Sequence, residues 1–354
     1  MDSDDARRWL DDRAISGEFS GVALVWRDGA PVFEHAAGLA HRGLGVPLTT
    51  NSRFQVASVT KMLTAATALR LVDAGRIALD TPLVDLLPDD RRPSALTPEH
   101  TLHHLLSHRS GLANYHDDDD ETWASFESCW QRVPLGRITG VADLLPLFVD
   151  LPLRSPPDER WQYADVNFLV VGLVIEAVTG RPFAEVATDE VLGPAGLVDT
   201  AFDRFDHDPE RLAVGYAAGD APGERGRTNV YAVPPVGMPD GGVVTSAKDL
   251  ARFFDALLGG SLLTQATLEL MLEPHGTIPD TDGLEAYGYG AELTLVDGRV
   301  TIVGHAGGDP GVSAMTSHFI DESTSVIVLC NQDRGSWPAS LHLARACGLP
   351  DPRS

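Results

Sequence analysis

Lysine is almost missing from this chain of 354 residues. Only Lys61 and Lys248 occur among 27 basic residues, and 51 acidic side chains leave a formal net charge of −24. Such a chain lacks the basic footprint needed to grip a nucleic-acid backbone. It is equally unsuited to an anionic membrane surface. The negative balance favours solubility, and neutral or cationic substrates over polyanions. A salt-adapted proteome would give the same balance, and a GC-rich genome the same bias towards arginine. Cysteine is scarce too. Cys129, Cys330 and Cys347 are odd in number and lack metal-ligand spacing, which argues against a disulfide framework or a zinc site. Cys330, within "SVIVLCNQD", reads as a small buried strand residue. No apolar run is long enough to span a bilayer. The opening "MDSDDARRWLDDRAISGEF" has no basic end followed by an apolar stretch, so the expectation is a cytoplasmic protein with free thiols. No metal and no organic cofactor is implied.

The chain has ample core material, with 43% hydrophobic and 22% charged residues, and its length suits two domains or one composite domain. An amphipathic N-terminal helix leads into two apolar runs flanking Asp28-Gly29, a hairpin signal repeated at Asp297-Gly298. Between them the apolar period becomes helical, in "KMLTAATALRLVDAG", "TLHHLLSH" and "NFLVVGLVIEAVTGRPFAEVATDEVL", the first stopping at Gly75. Strands return in "VSAMTSHFID" and "TSVIVLCNQ", before a C-terminal helix in "WPASLHLARACGL". The pattern predicts an α/β (α+β) fold: a mixed, mainly antiparallel sheet built from residues 1–57 and 215–354, with a mainly helical domain inserted at 58–214. The active site would lie in the cleft between them. The segment His116–Trp130, "HDDDDETWASFESCW", reads as a solvated acidic loop, because it lacks the glycine and terminal glutamate of an EF-hand. It falls in an acidic loop region at 114–157, expected to cover the cleft and carry specificity.

Chemistry gathers at three places. Ser58 and Lys61 are three residues apart, hence neighbours on one helix face, with Ser58 at the helix start, where free N–H groups favour developing negative charge. A serine hydroxyl needs such a neighbour to become a nucleophile. Alone, S-x-x-K equally describes a helix cap. "ERWQYADVNF" places Tyr163, Asp165 and Asn167 just before a helix, and "IVGHAGGDPG" places His305, Gly307 and Gly308 at a strand end.

In that order the three stretches resemble the S-x-x-K, Y-x-N and K-T-G or H-x-G motifs of the serine β-lactamase and penicillin-binding-protein superfamily. The likeness is to the branch of class C β-lactamases, family VIII esterases and D-aminopeptidases. "LLSHRSGLANY", "GPAGLVDTAF" and "PDGGVVTSAKDLARFFDALLGG" are similar to family sequence as well and read as structural, His108 included. The resemblance implies the β-lactamase/transpeptidase-like fold and an acyl-enzyme on Ser58. Lys61 and Tyr163 would handle protons, and the N–H groups of Ser58 and Gly308 would form an oxyanion hole. Gly307, His305 and Asp165 would border the substrate.

Two departures stand out. Asp165 replaces the usual asparagine, and a carboxylate beside Lys61 favours its ammonium form. Acting as a base at pH 7 needs a lysine pKa about 3 units below its free value of ~10.4, roughly 4 kcal/mol. The expectation is that Lys61 stays charged, stabilises a Tyr163 tyrosinate, and leaves Tyr163 as the base. His305 replaces the lysine that holds a β-lactam carboxylate, a weaker clamp since histidine is mostly neutral at pH 7. The implied activity is a serine hydrolase acting on a small ester, amide or other acyl substrate. Alternatives are an acyltransferase with the same intermediate, a residual β-lactamase or DD-peptidase, and a non-catalytic binding protein. Oligomeric state stays open. Arginine could not replace Lys61, because it does not give up its proton and its broad fork would not fit beside Ser58.

Overall fold

A computed structural model of the chain describes residues 3–117, 123–207, 209–218 and 226–350. Eight strands form the main sheet: β1 (Gly21–Arg27), β2 (Ala30–Ala37), β3 (Gly276–Thr277), β4 (Glu285–Tyr287), β5 (Glu292–Val296), β6 (Arg299–Asp309), β7 (Val312–Phe319) and β8 (Thr324–Cys330). They lie in the order β2-β1-β8-β7-β6-β5-β4-β3, and every pairing is antiparallel. The two Asp-Gly pairs make the β1–β2 and β5–β6 turns. Both residues of each pair have positive φ, the backbone of a tight hairpin turn whose twist matches its strands. The sheet joins the two ends of the chain, with Gly21 opposite Cys330.

Both sheet faces are covered, which is why "GVALVWR" and "SVIVLC" read as unbroken apolar runs. By the two-residue alternation of a strand, Ala23, Val25, Val326 and Val328 face helices α1 (Ser3–Ser16) and α6 (Ser336–Ala346). Val22, Leu24, Ile327 and Leu329 face the larger core shared with α2 (Thr60–Asp73), α3 (Ala124–Arg132), α4 (Asp165–Thr179) and α5 (Ala247–Leu258). Residues 58–214 contribute no strand to the main sheet among the described residues. Helix α4 stops at Gly180, whose φ of 70° suits a residue without Cβ. Among the described residues no single helix is long and apolar enough to cross a membrane.

The acidic segment differs from a solvated loop. Asp118–Thr122 lie outside the described residues, but Ala124–Arg132 form the helix α3, with Phe126, Cys129 and Trp130 buried. Their i, i+3, i+4 spacing forms an apolar stripe. Trp130 Nε1 donates to the Ala232 carbonyl at 2.7 Å, fixing that stripe to the far side of the cleft. The run of acids obscured this pattern. The cysteines are free thiols, and Cys330 is buried on β8 with its thiol pushed up by desolvation.

Candidate active site

Ser58 sits in a single tight turn, Ala57–Val59, that runs straight into α2. Ala57 has φ of 47°, a left-handed conformation that a non-glycine residue adopts at a cost of about 1–3 kcal/mol and that clusters at functional sites. The turn is held by Thr60 Oγ1 donating to the Ala57 carbonyl at 2.7 Å. It buries Ala57 and Val59 and leaves Ser58 facing a cavity of about 310 Å³.

One turn into α2, Lys61 is fully buried. Its Nζ donates to Ser58 Oγ at 2.9 Å, Asp165 Oδ1 at 2.6 Å and the Asp240 carbonyl at 2.7 Å, so all three N–H bonds have acceptors. Burial pulls the ammonium down, but Asp165 first, then Asp240 and Tyr287, oppose it and the net shift is upward. Asp165, the first residue of α4, also meets His116 Nε2 at 2.8 Å and accepts from Asn114 Nδ2 at 3.5 Å. Burial alone would raise its pKa; Lys61 and His116 instead hold it well below the usual carboxylate range. Lys61 is therefore an ammonium paired with an ionised Asp165.

Tyr163 donates to Ser58 Oγ at 2.8 Å. Its hydroxyl is pushed far above the usual tyrosine range, first by burial and then by Asp165. A standing tyrosinate, expected from the sequence, does not fit these surroundings, because the same carboxylate that keeps Lys61 charged opposes a second anion beside it. The His108 ring packs on Tyr163 with centroids 4.4 Å apart. Its Nδ1 accepts from the Ala164 N–H at 3.3 Å and from the Asn167 amide at 2.9 Å. His108 thus ties the Tyr163 segment to the start of α4.

Strand β6 forms the opposite wall. Ala306 N–H donates to Glu292 Oε2 across the β5 edge at 3.1 Å. By strand alternation the Gly308 N–H points the same way, where that edge opens on the cavity that Ser58 lines. Gly307 has another task. A Cβ there would lie 2.2 Å from the Val56 carbonyl, so a glycine lets β6 press against the turn that carries Ser58. His305 is not brought to the cavity. It is buried, with Nδ1 donating to the Ala306 carbonyl at 2.5 Å and Nε2 accepting from Tyr287 at 2.9 Å. Burial lowers its pKa despite Glu292, so it is neutral and closed to an incoming carboxylate.

Two cavity residues escaped the sequence reading. Asp240 follows Pro239 in a loop bound to α2: Thr64 donates to the Pro239 carbonyl at 2.6 Å, and the Val243 N–H donates to Thr60 at 3.1 Å. Asp309 lies at the end of β6, on the same strand face as His305 and Gly307. That alternation was the available signal for Asp309. Nothing in "PDGG" marked Asp240. Trp123, Phe126, Val236 and Met238 add apolar wall beside the polar Gln55, Tyr115, His116 and Asp117.

Comparison with known proteins finds relatives for the chain as a whole. The Beta-lactamase family profile matches residues 6–346. Penicillin-binding protein 4* of Bacillus subtilis is 28% identical over 89% of this chain and 69% of its own length. Esterase EstB of Burkholderia gladioli is 34% identical over 61% of this chain, which spans 55% of the esterase. The crystal structure of a penicillin-binding protein from Bacillus halodurans superposes with a TM-score of 0.86 at 32% identity, covering 96% of this chain and 99% of that one.

Proposed function

The chain belongs to the Beta-lactamase family, and from that premise we propose that it is a serine hydrolase cleaving a small ester or amide through an acyl-Ser58 intermediate. The observation that carries this reading is the Ser58 hydroxyl itself, which faces the cavity while accepting hydrogen bonds from Lys61 and Tyr163.

In this reading Lys61 is not the base. An ammonium with three hydrogen bonds in place has no lone pair to offer. Tyr163 is a phenol at rest, so the proton moves as a relay. With substrate bound, the Tyr163 O–H turns from Ser58 to the leaving oxygen or nitrogen, and the Ser58 O–H turns to Tyr163 Oη. Ser58 Oγ then attacks the acyl carbon as its proton passes to Tyr163 Oη, and the proton already on Tyr163 passes to the leaving group. The acyl–leaving-group bond breaks with that transfer, and no free tyrosinate accumulates. The fixed charge of Lys61 stabilises negative charge on Ser58 Oγ and Tyr163 Oη during the relay. The N–H groups of Ser58 and Gly308 serve the carbonyl oxygen as it becomes an oxyanion. Water then attacks the acyl carbon, its proton returns through Tyr163, and Ser58 leaves with a proton restored. Asp165 acts through Lys61 by keeping it charged.

The test is intact mass and turnover after mixing with p-nitrophenyl acetate, with Ser58→Ala alongside. One acetyl group on the wild-type chain, or p-nitrophenol release, with neither in the variant, supports Ser58 as nucleophile. Equal labelling or turnover in the variant overturns it. Adding competing alcohols and amines then divides hydrolysis from acyl transfer.

A further inference from the structure

The charge of the cavity differs from that of a site built to hold a carboxylate. Four carboxyl groups, Asp117, Asp165, Asp240 and Asp309, line it, and no lysine or arginine does so among the described residues; Asp117 is exposed to solvent. Asp165 is satisfied by Lys61 and His116. Asp240 and Asp309 are not matched in this way. Lys61 reaches Asp240 only at its backbone carbonyl, with its remaining protons on Ser58 and Asp165. The Asp240 side chain, only 7% exposed, accepts from Tyr115 Oη at 3.3 Å through Oδ2, and its Oδ1 has no partner on another described residue. The Asp309 carboxyl has no hydrogen-bond or ion-pair partner among the described residues. Burying carboxylates without a cation is unfavourable, so such groups take up protons or acquire a counter-charge.

We propose that Asp240 and Asp309 bind a protonated amine on the substrate, within a few atoms of the scissile carbonyl, while its apolar part packs against Trp123, Phe126 and Met238. This inference rests on the hydrolase reading for its placement next to Ser58. It explains why the pocket presents acids where a carboxylate-binding site presents a cation. It also accords with the absence of His305 from the cavity lining. The titration of the two acids agrees with it. Asp240 is pushed up to about 7 and Asp309 to about 8, each by burial first and by the charge of Asp165 second, with Lys61 opposing; His116 opposes as well at Asp309. An arriving ammonium favours the ionised carboxylates, so binding near neutral pH releases protons.

Two measurements test the proposal independently. In Ser58→Ala protein, calorimetry compares 2-phenylethylammonium with its isosteric neutral probe, n-propylbenzene, and with 3-phenylpropanoate. The expected result is at least about tenfold tighter binding of the cation, as charge-assisted hydrogen bonds provide. Proton release should appear as a dependence of the measured heat on the buffer's ionisation enthalpy. Asp309→Asn should reduce the cation's advantage by a similar factor, and Asp240→Asn should do the same. Equal affinities, tighter binding of the anion, or an advantage unchanged in both variants overturns the proposal, whatever the enzyme does to esters. In the wild-type chain, kcat/KM for p-nitrophenyl β-alaninate is compared with that for its isostere p-nitrophenyl butyrate, each corrected for its hydroxide-catalysed rate. A corrected preference for the ammonium ester that falls in Asp309→Asn supports the placement beside Ser58. Cation binding with no turnover of either ester would leave the amine site standing and count against the hydrolase reading.

Discussion

Replacing Asp165 with asparagine should change the charge of Lys61, and this chain allows that charge to be observed almost without interference. The two groups are 2.6 Å apart, so at an effective dielectric constant of ~20 their attraction is about 6 kcal/mol before desolvation is counted. Desolvation returns part of this, and removing one partner of such a pair usually costs about 3–5 kcal/mol. Asp240 moderates the loss. Freed from the repulsion of Asp165, it ionises more readily and supplies a second, weaker counter-charge. The low end therefore applies, about 3 kcal/mol, which corresponds to a fall of about 2 pKa units from the wild-type Lys61. In the wild type the shift is upward, so Lys61 should hold its proton past the ordinary lysine range.

Two lysines in the whole sequence make the assay direct. Protein labelled with ¹³C at lysine Cε gives two signals, and Lys248→Arg assigns them. The wild-type Lys61 signal should not move below a pH of about 10, the ordinary lysine range, while in Asp165→Asn it should titrate about two units lower. Stability changes with a definite sign. With a depressed folded-state pKa, the variant carries its penalty at neutral pH. It recovers about 1.4 kcal/mol per pH unit between the new Lys61 pKa and ~10.4, where the unfolded lysine also deprotonates. A wild-type Lys61 titrating near neutral pH would refute the reasoning, since it would make the lysine a neutral base at rest. So would an Asp165→Asn variant with an unmoved Lys61 signal.

The proposed relay puts Tyr163 at the proton transfer, so Tyr163→Phe should lower kcat by about 10²–10⁴-fold with little change in KM, read from steady-state kinetics. A loss confined to KM would show that the hydroxyl only binds substrate. Asp309 gives a stability test of opposite sign. Its carboxyl stays protonated in the fold to about 8, whereas the unfolded side chain ionises near ~3.9, so wild-type stability should decline as pH rises between those values. Asp309→Asn cannot ionise and should gain on the wild type as pH rises through that window and not at its lower end, with a slope no steeper than about 1.4 kcal/mol per pH unit, in denaturant unfolding. No difference between the two ends would mean that the carboxyl is adequately solvated.

Much of this arrangement was legible because its signals are local. Two Asp-Gly pairs between apolar runs could hardly be anything but hairpins, and a strand buried on both faces announces itself as a continuous apolar run. Ser58 and Lys61 met as expected, with Ser58 in a strained turn that leads directly into α2. The strain at Ala57 could not be foreseen, because alanine carries no sign of positive φ. Other features depend on contacts between distant segments. The orientation of His305 is decided by Tyr287, eighteen residues away, and the placement of Asp240 by the threonines of α2. In "HDDDDETWASFESCW" the charges hid the stripe of Phe126, Cys129 and Trp130 that seats a helix against the cleft.

Asp165 connects these observations. From the sequence it was a single departure that opposed a neutral lysine. In the structure its charge also raises Asp240 and Asp309, so the three acids and Lys61 titrate as one coupled set. With no cation in the cavity, one negative charge against Lys61 is the favoured balance, and the other two acids hold protons near neutral pH. A cation entering the cavity is the change that lets them ionise without unpaired charge. The carboxylate that fixes the charge of Lys61 therefore also sets how strongly the proposed amine site demands a positive group. An asparagine at 165 would loosen both constraints at once, which physically couples the choice of proton-transfer group to the choice of substrate.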